Sequence, residues 1–525
     1  MNKAKYLNDV LTSMEAEDII SKQLKFGMLE DYASESFLRQ HAILEKLNMQ
    51  ALKNALLGGE DFILETFVTY EMMKPLIGEL FICNQFRTYI YPRIKSEVIK
   101  RSSLKAYICL YHEAVVVNLL ENFFFHVTAC QASEDLIIDV IEYCYSKISK
   151  LLNVKRKYGN FSDEEKLNLK SEEDFDCKIE EIEFSIAVTS LSILRYFTDH
   201  LTQLPFPVRN HLLNVKDIPL ILVPLMEMKP WIRERKFRDN KKFTEIFENN
   251  QWNKITDDNV MAKISKIEAQ IWLSIFNILM NSDNNKKYEI TEFRKNNLIR
   301  LRKFMNEILY DQIPPLQHLY RALEEISLME FSAVPTSNPF IVEMIPSLFN
   351  KKLNNEEIDR ISKIILGYFP SDPSKYKKEM EIISEVYSWN NLEYFMEDPK
   401  CASCGKDAAS RCSKCKSEWY CGRECQIKRW KQHKEFCGKL AELNQVLDQE
   451  KDHSFNTSMN QVAVTNSNIR EVKHKEIKKE TSSKDVDTKI KEAYIEEEKI
   501  KYQNIQNPDN MKVQKEIVNE FEVLD

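Results

Sequence analysis

The chain has 525 residues, 43% hydrophobic and 30% charged, with a net charge of −7. One hydrophobic core organises roughly 250–300 residues, so more than one folded unit is expected. Nine glycines and 16 prolines favour helices over turn-rich β folds, and the near-balanced charge offers no basic field for nucleic acid.

The opening MNKAKYLNDVLTSMEAEDII lacks the apolar run of a secretory signal. From Ser36 to Phe395 the text is a succession of helix-period segments: Phe37–Leu57, Phe62–Phe81, Leu104–Phe125, Asp135–Leu152, Glu180–Leu204, Met261–Met280, Ile290–Ile313, Leu316–Leu328 and Asn355–Phe369. Gly58-Gly59, Pro314-Pro315 and Asp372-Pro373 punctuate it. The most apolar stretch, Ala114–Phe125, is too short to cross a bilayer and is interrupted by Asn118, Glu121 and Asn122, so no membrane span is expected. No stretch alternates apolar and polar residues over a strand, so no sheet is expected here. These features predict an all-α scaffold over 1–395, an irregular armadillo- or HEAT-like solenoid, with a compact helical bundle as the alternative.

Two polar segments interrupt the pattern. Residues 153–177, with mixed charge, read as a surface loop, and residues 441–525 as a helical extension fading into a charged tail. From Lys451 onward the tail has too few apolar residues to offset its ordering entropy, and disorder is expected. Cys83, Cys109, Cys130, Cys144 and Cys177 are scattered without ligand spacing and read as small core residues, which with free thiols suggests a reducing compartment.

Between these parts, residues 396–440 hold CASCGKDAASRCSKCKSEWYCGRECQIKRWKQHKEFC, from Cys401 to Cys437. Its donors form four pairs: Cys401/Cys404, Cys412/Cys415, Cys421/Cys425 and His433/Cys437. Thiolate and imidazole suit zinc, and four per ion close a tetrahedral structural site, so the eight donors predict two Zn2+ ions. A lone CxxC also fits a redox dithiol, but four spaced pairs in succession do not. So short and polar a segment needs the metal to fold. Spacing alone leaves open whether the pairs interleave.

The order and spacing, with Tyr420 before Cys421 and Trp430 before His433, resemble the MYND-type zinc finger. That resemblance implies interleaving: one zinc on Cys401, Cys404, Cys421 and Cys425, the other on Cys412, Cys415, His433 and Cys437. It also implies a peptide-binding module, with Ser413, Gln426 and Trp430 at the positions that take proline-rich ligands. Gln426 and Trp430, four residues apart, share a helix face, and an aromatic beside an amide donor suits a polyproline surface. The competing reading is that Trp430 packs the finger's own core. Lys428, Arg429, Lys431 and Lys434 read as a solvated basic face rather than a nucleic-acid surface.

Further runs extend the resemblance: QHAILEKLNMQA from Gln40, HEAVVVNLLENFFFH from His112, LSILRYFTDH from Leu191 and SEWYCGRECQIKRW in the finger. In this order they resemble MYND proteins of the BLU kind, cilia-associated assembly factors for axonemal dynein arms. The resemblance implies a cytoplasmic adaptor or co-chaperone for dynein-arm preassembly, also near the ciliary base and centriolar region. Its implied partners are leucine-rich-repeat assembly factors, chaperones and dynein chains.

Two alternatives come from the same finger. A SET-plus-MYND lysine methyltransferase needs an Asn-His-Ser-Cys motif and glycine-bearing cofactor loops, and neither can be written here. A nuclear co-repressor shares the peptide chemistry and differs in location. His112-Glu113 begins like HExxH, but Val116 replaces the second ligand, and His41, His112, His126, His200, His211 and His318 read as structural. A non-enzyme is expected, with no catalytic residue.

Overall fold

The computed structural model describes residues 10–153, 169–236, 242–248, 250–255, 263–281, 288–334, 344–370, 378–379, 382, 401–404, 408, 410–414, 418–430, 433–434 and 437. The chain divides into two compact units, one of residues 1–55 and 60–397 and one of residues 56–59 and 398–525. The expected extension and tail, 441–525, lie outside the described residues.

The first unit is mostly helical. It opens with α1 (Ser13–Asp18), where Thr12 caps the Glu15 N–H and the Glu15 carboxylate takes the Thr12 N–H at 2.8 Å, a reciprocal capping box. Helix α2 (Glu35–Leu57) ends at Gly58, whose φ of +63° is strained for any residue with a Cβ. Next come α3 (Phe62–Thr69), α4 (Met73–Gln85) and α5 (Tyr91–Phe124). Helix α5 is broken at Ser102, which has extended φ/ψ and whose hydroxyl accepts the Lys105 N–H at 3.3 Å, restarting the helix. Then follow α6 (Val127–Ser133), α7 (Ile137–Asn153) and α8 (Ser171–Asp199).

Helix α8 is the hub of this core. It packs on α5 and α7, and Phe124 of α5 meets Phe197 of α8 edge-on at 4.9 Å between ring centres. Burying a side chain of this size contributes about 1.5–3 kcal/mol. A buried ion cluster ties the same helices together. Glu113 of α5 accepts from Arg87, from Tyr143 Oη at 2.7 Å and from Lys147 Nζ at 2.5 Å, and Arg87 reaches Glu183 of α8 at 3.2 Å.

The chain continues through α9 (Phe206–Asn210) and α10 (Ile218–Met228), then a sheet, then α11 (Lys266–Met280), which packs on α8 and α10. Helices α12 (Glu292–Leu298), α13 (Glu307–Gln312), α14 (Leu316–Leu328) and α15 (Asn355–Gly367) follow. Helix α15 returns to α5: Arg93 bonds Asp359 at 2.6 Å, and Lys105 donates to the Tyr368 carbonyl at 2.7 Å. Among the described residues no single helix is long and apolar enough to cross a membrane.

Three features differ from the sequence expectations. A three-stranded antiparallel sheet, β1 (Ile232–Lys236), β2 (Lys242–Glu248) and β3 (Gln251–Lys254), stands where none was expected. Its buried positions include Arg233 and Arg235, both bonded to Glu245, so ion pairs replace the apolar beat that marks a strand. Helix α10, rich in proline at 219 and 224, escaped notice because those residues read as breakers. The expected loop over 153–177 also shrinks: α7 runs to Asn153 and α8 begins at Ser171, with Phe175 and Cys177 buried. The polar text at 172–174 is three acidic residues in a first turn, where the helix dipole favours negative charge. Residues 154–168 lie outside the described residues. Two predicted helices are also subdivided, Phe62–Phe81 into α3 and α4, and Ile290–Ile313 into α12, a 3₁₀ turn and α13.

Candidate metal centre

The second unit has a small core of Cys401, Ala408, Cys412, Tyr420 and Cys437. Two short strands, β4 (Ser410–Arg411) and β5 (Trp419–Tyr420), pair antiparallel with Ser410 opposite Tyr420. The turns that carry the cysteines are fastened to them: Ala402 N donates to Trp419 O and Cys412 N to Glu418 O, both at 2.9 Å. A helix over 423–430 follows, carrying Cys425, Gln426 and Trp430.

Two donor groups form on this frame. Cys401, Cys404, Cys421 and Cys425 bring their sulfur atoms within 4.8 Å of one another, and Cys412, His433 and Cys437 form a second such group. Cys415, expected as its fourth ligand, lies outside the described residues. The sulfur separations test the fit to a metal. Cys404–Cys421 and Cys421–Cys425 are 3.5 Å apart and Cys412–Cys437 3.7 Å. A tetrahedron with metal–sulfur bonds of about 2.3 Å has edges of about 3.8 Å, so the residues fit zinc.

The electrostatics suit an ion as well. Burial pushes the Cys401 thiol up, but the backbone N–H groups of Cys421, Ser403 and Cys404 outweigh it and bring it to about 6. Hydrogen bonding to Cys404, Cys425 and Cys401 pushes the Cys421 thiol up to about 12, the signature of sulfurs crowded around too few protons.

Glu418, which was not singled out in the sequence, stands beside a donor of the second group. Its Oε2 accepts from Tyr420 Oη at 2.6 Å and lies 3.1 Å from His433 Nδ1. Residue 418 immediately precedes β5, two positions before Tyr420.

The expected peptide residues are placed as follows. Tyr420, 1% exposed, fills the finger core, whereas Trp430 is 40% exposed and lies outside that core. Its ring centre is 5.8 Å from that of His433. Gln426 lies one turn before Trp430 on the same helix, with the exposed Ile427 beside it, and Ser413 is exposed in the turn after Cys412.

Comparison with known proteins identifies the segment: residues 401–437 match the MYND finger. The chain carries a MYND finger at these residues. It is 26% identical over 440 residues to the zinc finger MYND domain-containing protein 10 homolog of Drosophila melanogaster, covering 78% of this chain and 95% of that one. Such coverage reaches far beyond the finger into the helical unit. Two other similarities are short. One, 31% over 83 residues, is to Tudor domain-containing protein 1 of Mus musculus, covering 14% of this chain and 7% of that protein. The other, 31% over 91 residues, is to a SET and MYND domain-containing protein of Dictyostelium discoideum, covering 16% of each chain. No solved structure matches the chain.

Proposed function

We propose that this protein is a non-catalytic adaptor for the preassembly of axonemal dynein arms, acting in the cytoplasm and near the ciliary base. Its finger, holding two zinc ions, captures a peptide from an assembly partner of the leucine-rich-repeat kind, while chaperones and dynein chains are the other partners. The observation that carries the peptide-binding reading is the 40% exposure of Trp430 outside a core that Tyr420 already fills. A large aromatic left in water beside an amide donor is a binding anchor waiting for an apolar, carbonyl-rich ligand. The dynein-arm setting is supported by the BLU-like runs in both parts of the chain and by the long similarity to the fly relative.

Truncating such an anchor costs about 2 kcal/mol or more. Trp430→Ala should therefore weaken the partner by at least about tenfold, with zinc content unchanged. Cells carrying the variant should keep the protein and lack dynein arms. Unchanged binding with intact zinc would remove the finger face from the reading, and normal, motile axonemes in cells without the gene would remove the dynein-arm role.

A further inference from the structure

The helical unit contains a third set of metal-type donors, far from cysteine-pair spacing and buried. Glu79 and Cys83 lie four residues apart on α4 and so share a face, and both are buried. His112, from α5, points at them: its Nε2 is 3.1 Å from Glu79 Oε1. The carboxylate oxygen, the Cys83 sulfur and an imidazole nitrogen all lie within 4.8 Å of one another.

Three observations bear on what this set does. The first is charge. A carboxylate and a thiolate carry two negative charges, and with a neutral imidazole they balance one divalent cation, which satisfies the rule that buried charge must be compensated. Among the described residues the Glu79 carboxylate otherwise has only the His112 ring as its hydrogen-bond partner. The second is orientation. His41 of α2, 1% exposed, places its Nδ1 2.9 Å from His112 Nδ1. When His112 donates from Nδ1 to His41, its Nε2 presents a lone pair toward Glu79 and Cys83, the outer support that ligating histidines require. The third is access. A cavity of about 140 Å³ reaches one member of the set, Glu79, and is lined also by Lys25, Asp31, Tyr32 and Gln40. Gln40 is 5% exposed, and among the described residues its Nε2 has no hydrogen-bond partner. A cavity with polar side chains and a carboxylate in its wall is polar enough to hold water beside Glu79.

We propose that Glu79, Cys83 and His112 form a third metal site, for a zinc-class divalent ion, with His41 as a positioning residue and a cavity water in the fourth position. Mixed thiolate, imidazole and carboxylate donors are a set that zinc accepts. The site clamps α4 to α5, and it is independent of the finger and of the peptide-binding reading.

The test is zinc content of the full chain, purified under reducing conditions with zinc supplied and then dialysed. Cys83→Ala and Glu79→Gln should each hold one ion fewer per chain than the unaltered protein. The finger variant Cys421→Ala should lower the content separately, and the Cys83→Ala, Cys421→Ala double variant should lose the sum. Equal zinc in Cys83→Ala and unaltered protein overturns the proposal, whatever the finger holds. If a substitution unfolds the unit, crystals of the unaltered chain decide: anomalous scattering at the zinc edge should show a peak between Glu79, Cys83 and His112. Peaks confined to the finger overturn it.

Discussion

Glu45 on α2 shows how much one buried carboxyl sets the pH response. It is 5% exposed, with Asn48 Nδ2 at 3.5 Å and Tyr111 Oη at 3.4 Å as its donors. Burial outweighs those weak bonds and pushes its carboxyl up to about 7. A folded value above the unfolded one means the folded state holds the proton more tightly. Its stabilising contribution is therefore complete below about pH 4.5 and is lost as the pH rises through 7. At about 1.4 kcal/mol per pH unit the change is about 3 kcal/mol. Glu45→Gln should remove that slope, so denaturant melts of the variant and the unaltered protein should diverge between pH 5 and pH 8. The variant should gain relative stability at the alkaline end, and parallel curves would refute the assignment. Glu113 behaves oppositely. Burial alone would raise it, but Arg87 and Lys147 overcome burial and hold it below the usual carboxylate range. Removing its charge strands two buried cations, so Glu113→Ala should cost about 3–5 kcal/mol at neutral pH, read from the same melts.

Periodicity marked most plainly the elements whose buried face is apolar, such as α11 and α14. The elements it hid are those whose buried face is ionic or whose helix contains proline. Sheet β1–β3 is the clearest case, because Arg233 at a buried position stacks its guanidinium 4.0 Å over the Trp252 ring and bonds Glu245. A sequence pattern that scores arginine as solvent-facing cannot see that strand. The ligands of the finger were legible because zinc chemistry fixes both residue type and spacing, whereas Glu418, an ordinary acidic residue, carried no such mark. Cys83 and His112 went unread as a pair because their adjacency is created only by the packing of α4 on α5. The sheet's dependence on its ion pairs is testable. Glu245→Ala leaves two buried guanidiniums without their carboxylate bond and should cost about 3–5 kcal/mol. Hydrogen exchange should then accelerate across 232–254 while α5 and α8 stay protected, and unchanged exchange in the sheet would show that the pairs are dispensable.

At the scale of the whole molecule, the two units are stabilised by different physics. The helical unit buries dozens of large side chains across α2 to α15, with Trp231, Trp272, Phe67, Phe123 and Phe124 fully enclosed. Among its described residues the finger encloses Cys401, Ala408, Cys412, Tyr420, His433 and Cys437, and such a core cannot offset the ordering entropy of its own backbone. Structural zinc in finger peptides supplies on the order of 10–16 kcal/mol, which makes up that difference. A fragment of residues 1–397 should therefore fold without the finger. It should give a helix-dominated circular dichroism spectrum and one cooperative melt within a few degrees of the transition that the helical unit shows in the full chain. The same fragment sorts the partners. Proteins held through the Trp430 face should be lost from its affinity pull-down, and those held by the helical unit should remain. A fragment that aggregates or melts without cooperativity would mean that the helical core is completed by residues beyond 397, and the separation of scaffold from peptide reader would fall with it.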